Sequence, residues 1–297
     1  MNKAIEQSVQ AFLIEQFGSK YNGCRFRRSG VGCINETWEI YGEGVSPLFL
    51  KVGRPGFLTM YEREKEGLEQ LARAESFHVP EPLAVGTNEH CAFILMEFLA
   101  LEPVRKPSEK LLGEALAELH GLQADKFGLE QNNFIGRANQ YNGWYDHWWT
   151  FFCEQRIAKQ LDQARENGMR GELLDRIQRL NEYAPDYFAD HSPIPSLLHG
   201  DLWSGNIATD RHGKPSIYDP AIYYGDAETD LAMTQMFGAL GQAVYDAYFH
   251  HIKPKPGMEL RRSFYDLYHW LNHFNLFGVN YLGQVERSVN DLHQRMV

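Results

Sequence analysis

The chain has 297 residues, 43% of them hydrophobic and 23% charged, enough apolar material for a sizeable core and, at this length, for two lobes. Its 39 acidic and 29 basic residues leave a net charge of -10 with no long lysine or arginine run, which argues against a nucleic-acid partner. No stretch approaches the roughly 20 apolar residues of a membrane span, the first residues lack a signal-peptide block, and Cys24, Cys33, Cys91 and Cys153 form no CxxC pair; the expectation is a reduced, cytoplasmic protein with no membrane contact.

Ile5, Val9, Phe12, Leu13 and Phe17 recur at helical spacing, so residues 4–17 read as an opening helix. Over 24–52, glycine-containing turns alternate with short β-prone runs at 37–41 and 48–52. Residues 59–73 return to a charged helix with Leu68 and Leu71 as its apolar positions. Pro80 and Pro82 break the chain, 83–86 fits a short strand, and the nearly unbroken apolar run over 91–99 suits a buried strand. Beyond it the pattern is mainly helical. Leu111, Leu112, Ala115, Leu116 and Leu119 make one apolar face, 144–166 reads as a long aromatic-rich helix, and 171–190 as another. A strand-and-loop island at 196–222 interrupts this pattern, and helices resume from about residue 228. The order predicts an α+β fold of two lobes. A small sheet lobe with a helix spans 1–98, a larger, mainly helical lobe spans 99–297, and a ligand cleft lies between them.

The island carries the chemistry. It reads Leu197-Leu198-His199-Gly200-Asp201-Leu202-Trp203-Ser204-Gly205-Asn206, and eighteen residues after Asp201 comes Asp219, in Ile217-Tyr218-Asp219-Pro220. Phosphoryl transfer asks a protein for an oriented hydroxyl and for a metal that neutralises phosphate charge. Asp201 suits the first task, as the carboxylate that orients a hydroxyl and accepts its proton. Asn206 and Asp219 suit the second, since magnesium takes hard oxygen ligands and few of them from protein. Asp-x4-Asn followed by a strand-borne Asp is also the order of a kinase catalytic loop and its metal-binding segment. Each piece alone is common in turns; their joint occurrence is what carries weight.

HGDLWSGN and IYDPAIYYGDAETDLAMT resemble the fructosamine (ketosamine) kinase family, within the aminoglycoside-phosphotransferase and choline-kinase superfamily of protein-kinase-like fold. Aminoglycoside kinases more often carry His-Pro where this chain has Trp203-Ser204. WWTFFCEQRIAKQ, from Trp148 to Gln160, and Asn133-Phe134-Ile135-Gly136 are similar to further motifs of the same family. The resemblance implies an ATP- and magnesium-dependent kinase acting on a ketosamine, free or on a glycated protein, with deglycation as the consequence. It implies that Lys51 holds the nucleotide phosphates and that Glu64 holds Lys51, with Glu66 as second choice. Gly30 and Gly32 fit a phosphate loop, although a hairpin turn explains the spacing as well, and Cys33 directly after them would be a redox-sensitive position. Met96, Glu97 and Phe98 fit the connector that holds adenine, or simply an apolar strand end.

On the acceptor side Trp203 would stack on the sugar or pack the loop. Asp226 and Glu228 are candidates for the substrate amine. Asp230 reads as a brace, and His120 and His199 as structural. Two other readings remain open: a kinase for another amino-alcohol, such as an aminoglycoside or choline-like compound, and a nucleotide-binding pseudokinase. Oligomeric state is not encoded in these motifs.

Overall fold

The computed structural model describes residues 1–29 and 35–296. Five antiparallel strands, β1 (Arg25–Arg28), β2 (Glu36–Tyr41), β3 (Leu48–Gly53), β4 (Pro82–Thr87) and β5 (Ala92–Glu97), form a sheet in the order β1-β2-β3-β5-β4. Helix α1 (Lys3–Phe17), whose first turn is capped by the Asn2 side chain accepting from Ala4 N at 3.0 Å, covers one face. Helix α2 (Leu58–Leu71) covers the other. This explains the unbroken apolar run of β5. Side chains alternate across a strand, so Phe93 and Leu95 pack with Val9 and Leu13 of α1, while Ala92, Ile94 and Met96 pack with Met60 and Leu68 of α2. Each such buried side chain contributes about 1.5–3 kcal/mol relative to exposure.

Helix α3 (Lys106–His120) follows, then four short strands, β6 (Phe127–Leu129), β7 (Asn133–Ile135), β8 (Ala138–Gln140) and β9 (Gly143–Tyr145). Strands β7 and β8 form a hairpin. A continuous helix comes next, made of α4 (Trp148–Phe151), a π-helical stretch (Phe152–Ala158) and α5 (Lys159–Glu166). The helix expected from 144 thus starts at Trp148. Gly143, at φ 106, and Trp144 instead pair with β6, and Trp144 is 40% exposed rather than on a buried helix face. Helix α6 (Glu172–Tyr187) precedes the island strands β10 (Ser196–Leu198), β11 (Ile207–Thr209), β12 (Pro215–Ile217) and β13 (Tyr223–Gly225). Helices α7 (Glu228–Met236), α8 (Gln242–His251) and α9 (Met258–Phe277), a 3-10 turn at Val279–Tyr281 and α10 (Leu282–Met296) complete the chain. A second sheet has the order β10-β13-β6-β9.

Trp148, Trp149, Phe152, Phe264 and Tyr265 centre the core of the helical part. A further cluster joins Leu68 and Ile94 to Leu112, Leu116, Leu197 and Ile217, so apolar packing runs from the five-stranded sheet into the island. The π-helical stretch carries Arg156, which is fully buried. Its guanidinium lies 4.1 Å from the Tyr223 ring centre and 4.6 Å from that of Phe151, and donates to Tyr141 O and, at 2.9 Å, to Asn142 Oδ1. Asn142 Nδ2 in turn donates to Asn133 Oδ1 at 2.9 Å, which ties the β7–β8 hairpin to this cation. Among the described residues no helix is long and apolar enough to cross a membrane.

Candidate active site

Strand β10 delivers the island loop into the middle of the molecule. At Gly200, φ is 81 and a Cβ would lie 2.0 Å from Ala221 O, so the chain can pass there only without a side chain. Asp230, in the first turn of α7, accepts from both loop amides, His199 N at 2.7 Å and Gly200 N at 2.9 Å. His120 Nε2 approaches the same carboxylate at 3.3 Å, and its Nδ1 meets Tyr248 Oη at 2.8 Å. Burial works against the charge on Asp230, but these donors outweigh it and hold the carboxyl below its usual range. His199 bridges the two halves of the island: Nε2 donates to Tyr218 O at 2.9 Å and Nδ1 accepts from Asp201 N at 3.2 Å. Burial lowers its pKa, consistent with a neutral ring holding one proton. The braces expected of Asp230, His199 and His120 are therefore what the loop uses.

Asp201 projects from this braced loop. Burial, then the nearby charge of Asp219, push it up to about 7, against a smaller opposing effect of its hydrogen bond from Asn206. Asn206 Nδ2 donates to Asp201 O at 2.8 Å and reaches Asp201 Oδ2 at 3.3 Å, which leaves its own Oδ1 as a free hard oxygen. Asp219 is the one non-glycine residue with positive φ, 59, among the described residues, a conformation that aspartate tolerates and that recurs where function demands it. Its Oδ1 accepts from Lys51 Nζ, and Glu64 Oε1 accepts from the same ammonium. Burial alone would depress Lys51; the Asp219 and Glu64 carboxylates overcome it and hold the ammonium above its ordinary range. Burial pushes Glu64 upward while Lys51 pulls the other way. Glu66 instead pairs with Arg63 at 2.7 Å, so Glu64 is the residue that meets the lysine.

Lys51, Glu64, Asp201, Trp203, Asn206 and Asp219 line one cavity of about 580 Å³. The residues fit a hard divalent cation: Asp201 and Asp219 repel one another in a cavity that Asn206, with its amide oxygen, also lines. Trp203 is half-buried and packs on its own loop, where a Cβ on Gly205 would lie 2.2 Å from the indole. The tryptophan edge also meets Phe237 at a centroid distance of 5.8 Å.

Other expected positions are not brought to this cavity. Asp226 is buried and bound at Oδ2 by His191 Nε2 at 2.6 Å and Tyr265 Oη at 2.7 Å. Glu228 is buried in a two-bond pair with Arg261, both at 2.7 Å. Neither carboxylate lines the cavity, so neither faces an acceptor there. The His191–Asp226–Glu228 group has metal-ligand chemistry, but Arg261 already supplies its cation. Met96 faces α2 from within β5, Glu97 N donates to Glu81 O at 2.8 Å, and these two with Phe98 lie outside the cavity lining. Gly30, Gly32 and Cys33 lie outside the described residues.

The cavity also has walls that motif reading did not assign to it. One is the β7–β8 hairpin, through Asn133, Phe134, Ile135 and Gly136, whose motif carried only the resemblance. The other is the end of α9 with the turn after it, through His273, Phe277 and Tyr281. These residues fall in the helical pattern that resumes from about residue 228, and nothing in that pattern separates a core face from a cavity face.

Residues 5–295 match the profile of the fructosamine kinase family. A Vibrio parahaemolyticus protein named as a probable ketoamine kinase is 39% identical over 294 residues, covering 98% of this chain and 99% of that one. A chloroplastic protein-ribulosamine 3-kinase of Oryza sativa is 38% identical over 266 residues, 88% of this chain and 77% of the rice protein. The crystal structure of a Haemophilus somnus protein provisionally named a fructosamine-3-kinase superposes with a TM-score of 0.87 at 30% identity, over 97% of both chains. A choline kinase from Streptococcus pneumoniae superposes with a TM-score of 0.68 at 13% identity, over 98% of this chain and 100% of that one, a likeness of fold alone and one that marks the architecture as protein-kinase-like. The chain belongs to the fructosamine kinase family and is a phosphotransferase with an alcohol group as acceptor.

Proposed function

We propose that the protein is an ATP- and magnesium-dependent ketosamine 3-kinase, acting on fructosamine- or ribulosamine-type adducts of free or protein-bound amines. The observation that carries this reading is the meeting, in one cavity, of the Lys51–Glu64 pair with Asp201, Asn206 and Asp219. The names of the relatives, ketoamine kinase and ribulosamine 3-kinase, supply the acceptor class.

Residues 1–98 bind the nucleotide in this reading, with Lys51 on the α- and β-phosphates, and residues 99–297 supply the catalytic loop and the acceptor wall. Asn206 Oδ1 and Asp219 hold magnesium, which when bound offsets phosphate charge. Asp201 accepts a hydrogen bond from the sugar hydroxyl and orients its oxygen toward the γ-phosphorus. The new O–P bond forms as the bond to the ADP oxygen breaks, and the hydroxyl proton passes to Asp201. The loop braces fix that carboxylate before substrate arrives, which is where positioning gains rate. A 3-phosphorylated ketosamine then breaks down and releases its amine, so the activity amounts to deglycation.

Coupled ATP turnover with a ribulosamine or fructosamine acceptor tests the proposal, with Asp201→Ala alongside. Turnover that requires acceptor, magnesium and Asp201 supports it. ATP binding without phosphorylation of any ketosamine would leave the family standing and remove the substrate assignment.

A further inference from the structure

The charged residues that line the cavity are Lys51, Arg63, Glu64, Asp201 and Asp219. None comes from α9 or from the turn that follows it. There the lining carries no formal charge, and beside Asn272, Leu276 and Asn280 it presents a row of rings: Phe237 lies 5.0 Å from His273, His273 lies 5.1 Å from Tyr281, and Phe277 lies 5.9 Å from Tyr281, all between centroids. Trp203 joins the row at its catalytic end, through Phe237. Trp270 backs both Phe237 and Tyr281, at 5.4 Å and 6.3 Å, and so fixes the ring faces from behind.

His273 places a polar group within the row of rings itself. Its Nδ1 meets His269 O at 2.8 Å, and a carbonyl can only accept, so Nδ1 carries the proton and Nε2 keeps a lone pair. Burial lowers the pKa of the ring, which favours that neutral form. The acids expected to meet an amine, Asp226 and Glu228, are committed to Tyr265, His191 and Arg261 and do not line the cavity. A row of ring faces with a lone-pair acceptor within it suits a cation that is also an N–H donor, because ring faces attract positive charge and pay no carboxylate desolvation.

We infer that this wall is the subsite for the amine arm of the acceptor: a secondary ammonium packs on the faces of Phe237 and Tyr281 and donates one N–H to His273 Nε2. The inference rests on the ketosamine reading and adds what recognises the nitrogen. The sugar then lies toward Trp203 and Asp201. The substituent on nitrogen leaves past Phe277, a lining residue that is 40% exposed. A lysine side chain on a protein surface meets that geometry as well as a free amine does.

The test compares two acceptors, fructosyl-lysine and an analogue in which ether oxygen replaces the amine nitrogen. Wild-type protein is expected to take the ketosamine with at least a tenfold lower KM. Tyr281→Leu and His273→Leu should each raise the ketosamine KM about tenfold, leave its kcat and the KM for ATP within twofold, and move the ether KM by less than twofold. Tyr281→Phe, which keeps the ring face, should behave as wild type. Equal wild-type KM values for the two acceptors overturn the inference without recourse to any variant. Equal losses on both acceptors in folded variants overturn it too, since the wall is then simple packing. A wild type that phosphorylates neither acceptor overturns the ketosamine reading itself, and the inference with it.

Discussion

Asp230→Asn isolates the brace of the catalytic loop from the chemistry it serves. The aspartate has three donors on two oxygens: His199 N and His120 Nε2 on Oδ2, and Gly200 N on Oδ1. An asparagine keeps one acceptor oxygen, which belongs on the side with two donors. Its NH2 then faces the Gly200 N–H, leaving a buried backbone donor unsatisfied at about 1–3 kcal/mol. Loss of the charge weakens the remaining bonds further. Asp201 follows Gly200 directly, so a loop that relaxes by an ångström carries the carboxylate with it, an error that costs on the order of 100-fold in rate. The expected variant is folded, less stable by a few kcal/mol, and slower by tenfold or more in kcat at nearly unchanged KM for ATP. Urea unfolding and coupled turnover on the same preparation measure both. A stability loss of the expected size with kcat within twofold of wild type would refute the positioning argument. Unchanged stability would refute the reading of the carboxylate as a buried brace.

Gly200→Ala should be worse, because the new Cβ meets Ala221 O at 2.0 Å and the left-handed backbone itself costs about 1–2 kcal/mol for an L side chain; turnover is expected to fall at least 100-fold, read in the same assay. Arg261→Met leaves Glu228 buried beside Asp226 without its counter-charge, a loss of about 3–5 kcal/mol in urea unfolding, while the acceptor KM of the folded protein stays constant. His269→Phe tests a buried histidine with neither ring nitrogen partnered, whose pKa burial pushes down to about 3 from an ordinary 6.5. The unfolded chain takes up that proton first as pH falls, so the stability present above about 6.5 is lost progressively toward pH 3. The wild type should lose about 2–3 kcal/mol from this group by pH 4.5. The phenylalanine variant should show a flatter acid limb in denaturation measured across that range.

Much of the site was legible because its parts are local. Asp201 and Asn206 share one loop, so their relation survives in spacing, and Asp219 ends the next strand pair. Lys51 and Glu64 were assigned through the resemblance, and the fold sets them on adjacent elements, β3 and α2. Asp226 and Glu228 failed for the opposite reason. What removes them from the acceptor is their pairing with His191, Tyr265 and Arg261, which no short window of sequence contains. The same holds for His273 and Tyr281, whose faces point into a cavity only because Phe237 and Trp270 are folded against them. Strand β9 was misread as helix because Trp144 and Trp148 fall four apart, and spacing outvoted the glycine before them. Gly143 pairs with Leu129, and that pairing decides the local structure.

The π-helical stretch that carries Arg156 has a consequence for how this protein can change length. An α-helical turn takes 3.6 residues, and a π turn takes up an extra one without breaking the helix. Deleting one residue between Phe152 and Ala158 would remove that extra residue and restore α winding, with the phase of α5 kept. Leu161 and Ala164 would stay buried in the helical core, and the change would fall on the stretch itself, where Arg156 sits over the Phe151 and Tyr223 rings. Substitution and deletion therefore differ sharply here. Single replacements change one contact, whereas a one-residue deletion rewinds the stretch around Arg156 while α5 holds its place, so a deletion here should cost the Arg156 contacts rather than the packing of α5.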